Sequence, residues 1–219
     1  MDTDEVLKGL ARESVKQGEN LRSAVRELTL NALKGRELTL SEIKRVVRSV
    51  SEGVNLGATA SKLDGERVFS EALAGMDDAV LKAVQANHLA LQQLSAQGQS
   101  MRESHMKKAL DELERLEDEF FATIKDAAKK GSKQVKDQWA SVLQRTESSG
   151  TGTASQIEAT LEEFGDRMHE AIKQQRRTAL KATEAMAENF TTLASGILIG
   201  LTEGLQQGKR EPGDKASDR

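Results

Sequence analysis

The sequence predicts an all-α protein: long amphipathic helices folded into an elongated helical hairpin or bundle. Three observations carry that expectation. The only proline, Pro212, lies near the C-terminus, so no locked φ or missing N–H bars residues 1–208 from helix. The strong helix formers Ala, Glu, Lys, Gln, Leu and Arg dominate the composition. Aromatics make up only 3% of the chain, with Trp139 the single tryptophan and no tyrosine. Aromatics usually supply much of a globular core, so a thin core of Leu, Val, Ala and Met between long helices is expected.

Residues 3–34 read as one helix, capped by Asp2 or Thr3 and ended by Gly35. Its stripe is Leu7, Leu10, Val15, Leu21, Val25, Leu28 and Leu33. Thr39 and Glu42 stand in the capping-box relation and open a second helix. Ile43, Val46, Val47 and Val50 form its apolar face, with Lys44, Arg45 and Arg48 on a solvated one. It runs into small residues four apart, Gly53, Gly57, Ser61 and Gly65, and Asp64–Gly65 is a turn signal.

From Glu66 the apolar positions Phe69, Leu73, Met76, Val80, Val84, Leu91 and Leu94 recur at helical spacing. Two readings stay open next: a new helix capped by Ser100 with Glu103, or one helix continuous through Gly98. The run from Met106 through Leu110, Leu116, Phe120, Ile124 and Trp139 to Val142 then reads as helix throughout. Acids crowd residues 111–119, and Lys125, Lys129, Lys130, Lys133 and Lys136 follow. That order complements a helix dipole and favours antiparallel pairing with a similar helix. T-E-S-S-G-T-G-T-A-S at 146–155 reads as the linker of a hairpin, with Ser155 and Glu158 capping the last helix. The apolar steps from Ile157 to Leu205 average near 3.6, which means a nearly straight helix rather than a supercoiled one. At 1.5 Å per residue, 155–208 would span about 80 Å. The expected organisation is N-terminal helices over 1–65, a long-helix hairpin over 66–208 and a disordered polar tail over 209–219.

Composition also bounds function. A net charge of −3 leaves no footprint for nucleic acid. Lys173, Arg176, Arg177 and Lys181 form a basic patch, but without the interleaved aromatics of a strand-binding surface. There is no cysteine, hence no disulfide, thiolate nucleophile or sulfur-ligated metal. The acidic N-terminus has no apolar signal region, and the longest apolar run, Leu193–Leu201, is about half of what a spanning helix needs. Phosphate-binding and nucleophile-elbow motifs are missing. Asp166-x-x-His169, beside Glu163 and Glu170, has the spacing of a carboxylate-bridged metal bundle, but the required second motif does not occur. The expectation is a non-enzymatic cytoplasmic protein with no cofactor, no metal and no evident small-molecule substrate.

Gly196, Gly200, Gly204 and Gly208 lie four apart in a helical segment, although each glycine costs a helix interior about 1 kcal/mol against alanine. Close approach of another helix would offset that cost. Gly53 and Gly57 are the expected counterpart on the N-terminal side, so all six glycines are candidate packing or interface positions. A short signature links the two runs: an acid, a small residue, an apolar or small residue, two variable positions, then glycine. It occurs as E-S-V-K-Q-G at 13–18, E-G-V-N-L-G at 52–57, D-A-A-K-K-G at 126–131 and E-G-L-Q-Q-G at 203–208.

The scarcity of aromatics, the long helices and Q-A-N-H-L-A-L-Q-Q-L at 85–94 resemble, over residues 66–205, the phasins that coat bacterial polyester granules. The style also looks like that of other all-helical proteobacterial proteins. No defining phasin motif is shared, so no residue role carries over. The resemblance implies a self-associating or surface-coating helical protein, a homo-oligomer whose partner surface is a lipid or a polymer. It also implies a cytoplasmic setting at a granule or membrane surface. The competing expectation is a membrane-active protein that inserts the glycine-rich 193–205 segment.

Overall fold

Seven α-helices, and no strand, make up the described residues of the computed structural model, which describes residues 2–34, 38–61, 63–96 and 101–178. They are α1 (Thr3–Ser14), α2 (Leu21–Lys34), α3 (Leu40–Ala60), α4 (Gly65–Ala96), α5 (Met101–Lys129), α6 (Lys133–Ser149) and α7 (Gly152–Thr178). A short 3₁₀ segment, Val15–Asn20, joins α1 to α2. The fold is therefore an all-α bundle.

Local chemistry sets most of the boundaries. The Asp2 carboxylate accepts from the Asp4 amide and starts α1; the Thr39 hydroxyl accepts from the Glu42 amide and starts α3. α3 ends at Ala60, and Asp64 restarts the chain as α4 by accepting from the Glu66 amide. α4 packs on α2 and α7, and α5 packs on α3 and α7. The choice between a new helix at Ser100 and continuity through Gly98 lies outside the described residues.

Four expectations need correction. Residues 3–34 are two helices, because Gly18 takes a φ of 58° and turns the chain. Leu10 accordingly lies off the buried stripe, 52% exposed, and Ala11 takes its place. The run from 106 to 142 breaks at Lys130–Ser132, where Ser132 caps α6 by accepting from the Val135 amide. The linker shrinks to Gly150, with a φ of 78°, and Thr151. Thr151 rather than Ser155 caps α7, accepting from the Ala154 amide at 2.9 Å.

Contacts give the direction of each helix. α1 and α3 run parallel, since Asp4 meets Arg45 and Lys8 meets Glu52. α3 and α5 run parallel too, from Leu40 beside Glu112 to Asn55 beside Ala127. Antiparallel pairing falls to α5 and α6, with Lys125 against Glu147. Along α4, Gly65 meets Gln138, Asp77 meets Gly152 and His88 meets Thr160. α6 and α7 thus climb α4 in one direction, and the chain reverses at Lys130–Ser132, not at 146–155. Residues Met1–Leu180 cluster as one compact unit, so the boundary expected at residue 65 falls inside it. α2 packs on α4 and α3 on α5 across that position.

The core is aliphatic except where Trp139 stacks on Phe69, with ring centroids 4.7 Å apart, and where Phe164, Phe120 and Phe121 enter. α7 is held at its start by α4: the Asp77 carboxylate accepts from the Gly152 and Thr153 amides at 3.0 and 3.2 Å. This caps free N–H groups and sets a negative charge at the positive end of the helix. Glu117 from α5 joins the same spot and accepts from the Thr151 hydroxyl. Burial raises the Glu117 pKa, the Thr151 hydrogen bond opposes that, and Asp118 and Asp77 add to the rise.

Three glycines work as seats. A Cβ on Gly53 would overlap the Lys8 carbonyl oxygen and lie 2.6 Å from the Ala11 Cβ. One on Gly57 would lie 2.6 Å from a Val15 methyl and 2.7 Å from the Arg12 carbonyl oxygen. One on Gly75 would lie 2.5 Å from the Arg22 carbonyl oxygen, so α2 rides on α4 as α1 rides on α3. Gly9 has open space around it.

Two predictions follow from this packing. Gly9→Ala should stabilise the protein by about 1 kcal/mol, the ordinary gain for alanine in a helix. Gly57→Ala should destabilise it by about 1–3 kcal/mol, the usual cost of overpacking, because backbone and a β-branched residue occupy the space. Urea titration reads both signs. Glu117→Gln should raise the melting temperature at pH 8 and lose that advantage by pH 4. A carboxyl with a raised folded pKa contributes stability at low pH and loses it as pH rises through that value.

Candidate interaction site

α1, α3 and α5 run in the same direction and finish at the same end of the bundle, where α6 begins. There the first three copies of the repeated signature meet, though they lie far apart in sequence. From the first copy, Val15 packs on Gly57 of the second. From the third, the Ala127 carbonyl accepts from the Asn55 amide group at 3.0 Å, and Lys130 pairs with Glu52.

Each type of position has a distinct use. The small residue after the acid, Gly53 in the second copy, lets another backbone come close. The acid at the border collects cations: Glu52 accepts from Lys130 and from Lys8. The fourth position of the second copy, Asn55, is 6% exposed and fully engaged. Its carbonyl oxygen accepts from the Trp139 indole N–H at 2.7 Å while its amide group donates to α5. One carboxamide therefore ties α3, α5 and α6 together, and both of its ends are satisfied, which removes the cost of burying it.

Glu52 is largely buried, and that burial works against its charged form. The hydrogen bonds from Lys130 and Lys8 outweigh it, and the carboxyl titrates below its ordinary value. Lys8 moves the other way, raised by its hydrogen bonds to Glu5 and Glu52.

Beside this junction lies an open groove of about 540 Å³, walled by Lys8, Arg12, Glu52, Leu56, Lys130 and Ser132 among others. Its chemistry is cationic with an apolar wall. Leu56 stands 51% exposed, and Arg12 makes no ion pair among the described residues. The groove can hold a partner by charge and apolar contact.

Of the candidate interface glycines, Gly53 and Gly57 are buried against α1. The partner expected for that face, the Gly196–Gly208 run, is thus replaced by α1. Gly196, Gly200, Gly204 and Gly208 lie outside the described residues. No group of three or more His, Asp or Glu that could hold a metal occurs among the described residues. No helix among them is long and apolar enough to cross a membrane.

Glu163, read in the sequence as part of an acidic cluster, faces α4 instead. Thr160 donates its hydroxyl to the Gln156 carbonyl and so accepts from His88 Nδ1 at 3.0 Å. His88 Nε2 then looks toward Gln92, at 3.0 Å, and Glu163, at 3.3 Å, with the ring edge-on to Phe164. This cluster binds α7 to α4.

Sequence reasoning passed over Asn55, Gly75 and Asp77. Gly75 carried a signal, since a glycine inside a strong helix asks for a close neighbour. Asn55 carried one too, as a polar residue on an otherwise apolar and small face. Asp77 carried none, because its partners are amides 75 residues away.

Glu52→Gln should lower the melting temperature at pH 7, because it discards the charge that holds Lys8 and Lys130. A carboxyl with a depressed folded pKa contributes stability above its unfolded value, about 4.3, and loses it as pH falls through the folded one. The gap between wild type and variant should therefore close on acidification, which a melting series from neutral to acid pH measures.

No curated protein and no solved structure matches the chain. A family model matches residues 1–207, taking in all of the fourth signature copy but its last residue. The chain belongs to that family, described as Family of unknown function (DUF6781).

Proposed function

We propose that this is a non-enzymatic helical interaction protein that self-associates or coats an apolar surface, in the manner of phasins. Its setting is the cytoplasm, at a granule or membrane surface. The observation that carries the reading is the correspondence between the second and fourth signature copies. E-G-L-Q-Q-G at 203–208 matches E-G-V-N-L-G at 52–57, so Gly204 and Gly208 stand where Gly53 and Gly57 stand. Gly53 and Gly57 seat a whole helix. A second run with the same spacing, extended to Gly196 and Gly200, is built for a second helix, and α1 already occupies the first seat. A second copy of the chain supplies that helix in an oligomer. Apolar side chains at the bundle surface, Val6, Leu10 and Leu89 among them, support the coating half of the reading.

The alternative is a membrane-active protein that inserts residues 193–205, favoured by the I-L-I step between Gly196 and Gly200.

Light scattering after gel filtration tests the oligomer. The expected mass is a multiple of 23.9 kDa, falling to the monomer in Gly200→Leu and Gly204→Leu. Partition onto hydrocarbon droplets tests the coat. A strictly monomeric chain that also leaves droplets bare would sink the proposal. Leakage of dye from vesicles would favour the inserting alternative.

A further inference from the structure

We infer that the end of the bundle where α1, α3 and α5 finish docks on an anionic lipid surface. Leu56 and Leu63 enter the layer, and Arg12, Lys133 and Lys136 contact its headgroups. This deepens the coating reading above and rests on it.

The apolar element is specific in place. Leu56 and Leu63 are 51% and 46% exposed, large apolar side chains held out at one end of the bundle. Leu56 stands on the wall of the groove, and Leu63 sits in the turn just beyond the last residue of α3. Neither belongs to the buried core.

Cations stand at the same end of the bundle. Arg12 lines the same groove as Leu56, and Lys130 and Ser132 border it at the α5–α6 corner. Lys133 and Lys136 follow in the first turn of α6. Nearby acids are largely spent: Glu52 on Lys8 and Lys130, Asp126 on Lys129, and Glu13 on Lys16. Arg12, Lys133 and Lys136 make no ion pair among the described residues. Asp64 is taken up as the cap of α4, which leaves Asp137 as the opposing charge on α6.

Charge complementarity selects the occupant. A neutral apolar surface would satisfy the leucines and strand three cations beside it. A layer of anionic headgroups over acyl chains satisfies both, and it is the combination that interfacial protein segments use.

The full-length protein is floated with vesicles of phosphatidylcholine alone and of equimolar phosphatidylcholine and phosphatidylglycerol. Binding should require the anionic lipid and weaken as salt is added. Leu56→Ser with Leu63→Ser should bind about tenfold or more weaker, from lost apolar burial. Arg12→Gln with Lys133→Gln should lose roughly fivefold per cation. All four positions are exposed, so melting curves should not move. Equal binding to both vesicles, or wild-type binding by the double leucine variant, overturns the inference. If the chain coats hydrocarbon droplets but ignores anionic vesicles, the inference falls and the coating reading stands. If it does neither, both fall.

Discussion

The seating of α1 in the small-residue face of α3 is the constraint on which the described fold depends. Two missing Cβ atoms, at Gly53 and Gly57, let the backbone of one helix lie against the side-chain-free surface of the other. Helices normally keep 8–10 Å between axes because their side chains stand between them. Here the contact instead brings Lys8 within reach of Glu52. With that face of α3 committed to α1, the next face, carrying Asn55, is left for α5 and α6. Asn55 meets two requirements at once, a carbonyl of α5 and an indole of α6, and a buried amide tolerates no less. A thin aliphatic core specifies register weakly, so such polar and close-packed points carry much of the specificity.

Much of this was legible. The fold class follows from missing proline, helix-forming composition and apolar spacing. The caps at Asp2 and Thr39 and the turn at Asp64 could be read off one by one. The misread boundaries have separate physical causes. Leu7, Ala11 and Val15 step by four, as do Leu21, Val25, Thr29 and Leu33, but the interval from Val15 to Leu21 is six. That rotates the stripe by roughly two-thirds of a turn at 100° per residue, which a straight helix cannot bury and a corner at Gly18 can. The supposed linker misled by composition. Its Thr146 and Ser148 hydroxyls donate back to the carbonyls four residues earlier and stay helical. What ends α6 and starts α7 there is one left-handed glycine and a carboxylate from another helix.

The signature illustrates the limit of reading a repeat as a repeated structure. Its final glycine does three different things: Gly18 turns the chain, Gly57 seats a helix, and Gly131 precedes a cap with Val135 close against it. Its acid is equally varied, since Glu13 and Asp126 pair with lysines three residues on whereas Glu52 reaches two other helices or their ends. What the copies share is a requirement: small residues and a bordering acid where helices converge near their ends.

The charge order along α5 has an electrostatic logic that its sequence suggested for the wrong partner. Acid followed by base favours an antiparallel neighbour of the same kind, yet α5 runs parallel to α3. The dipoles of the neighbours resolve this. Glu112 accepts from the Leu40 amide at the positive start of α3, and Glu117 stands at the positive start of α7. Further along, Lys130 reaches α3 near its negative end, and Lys129 occupies the last turn of α5 itself. The acids thus face helix beginnings, and the lysines face helix ends. Three parallel helices ending together gather partial negative charge, and the cations that answer it collect at the same place. Neutralising the dipoles takes only the innermost of them. Arg12, Lys133 and Lys136 make no ion pair among the described residues, and Leu56 and Leu63 stand about half exposed at the same end.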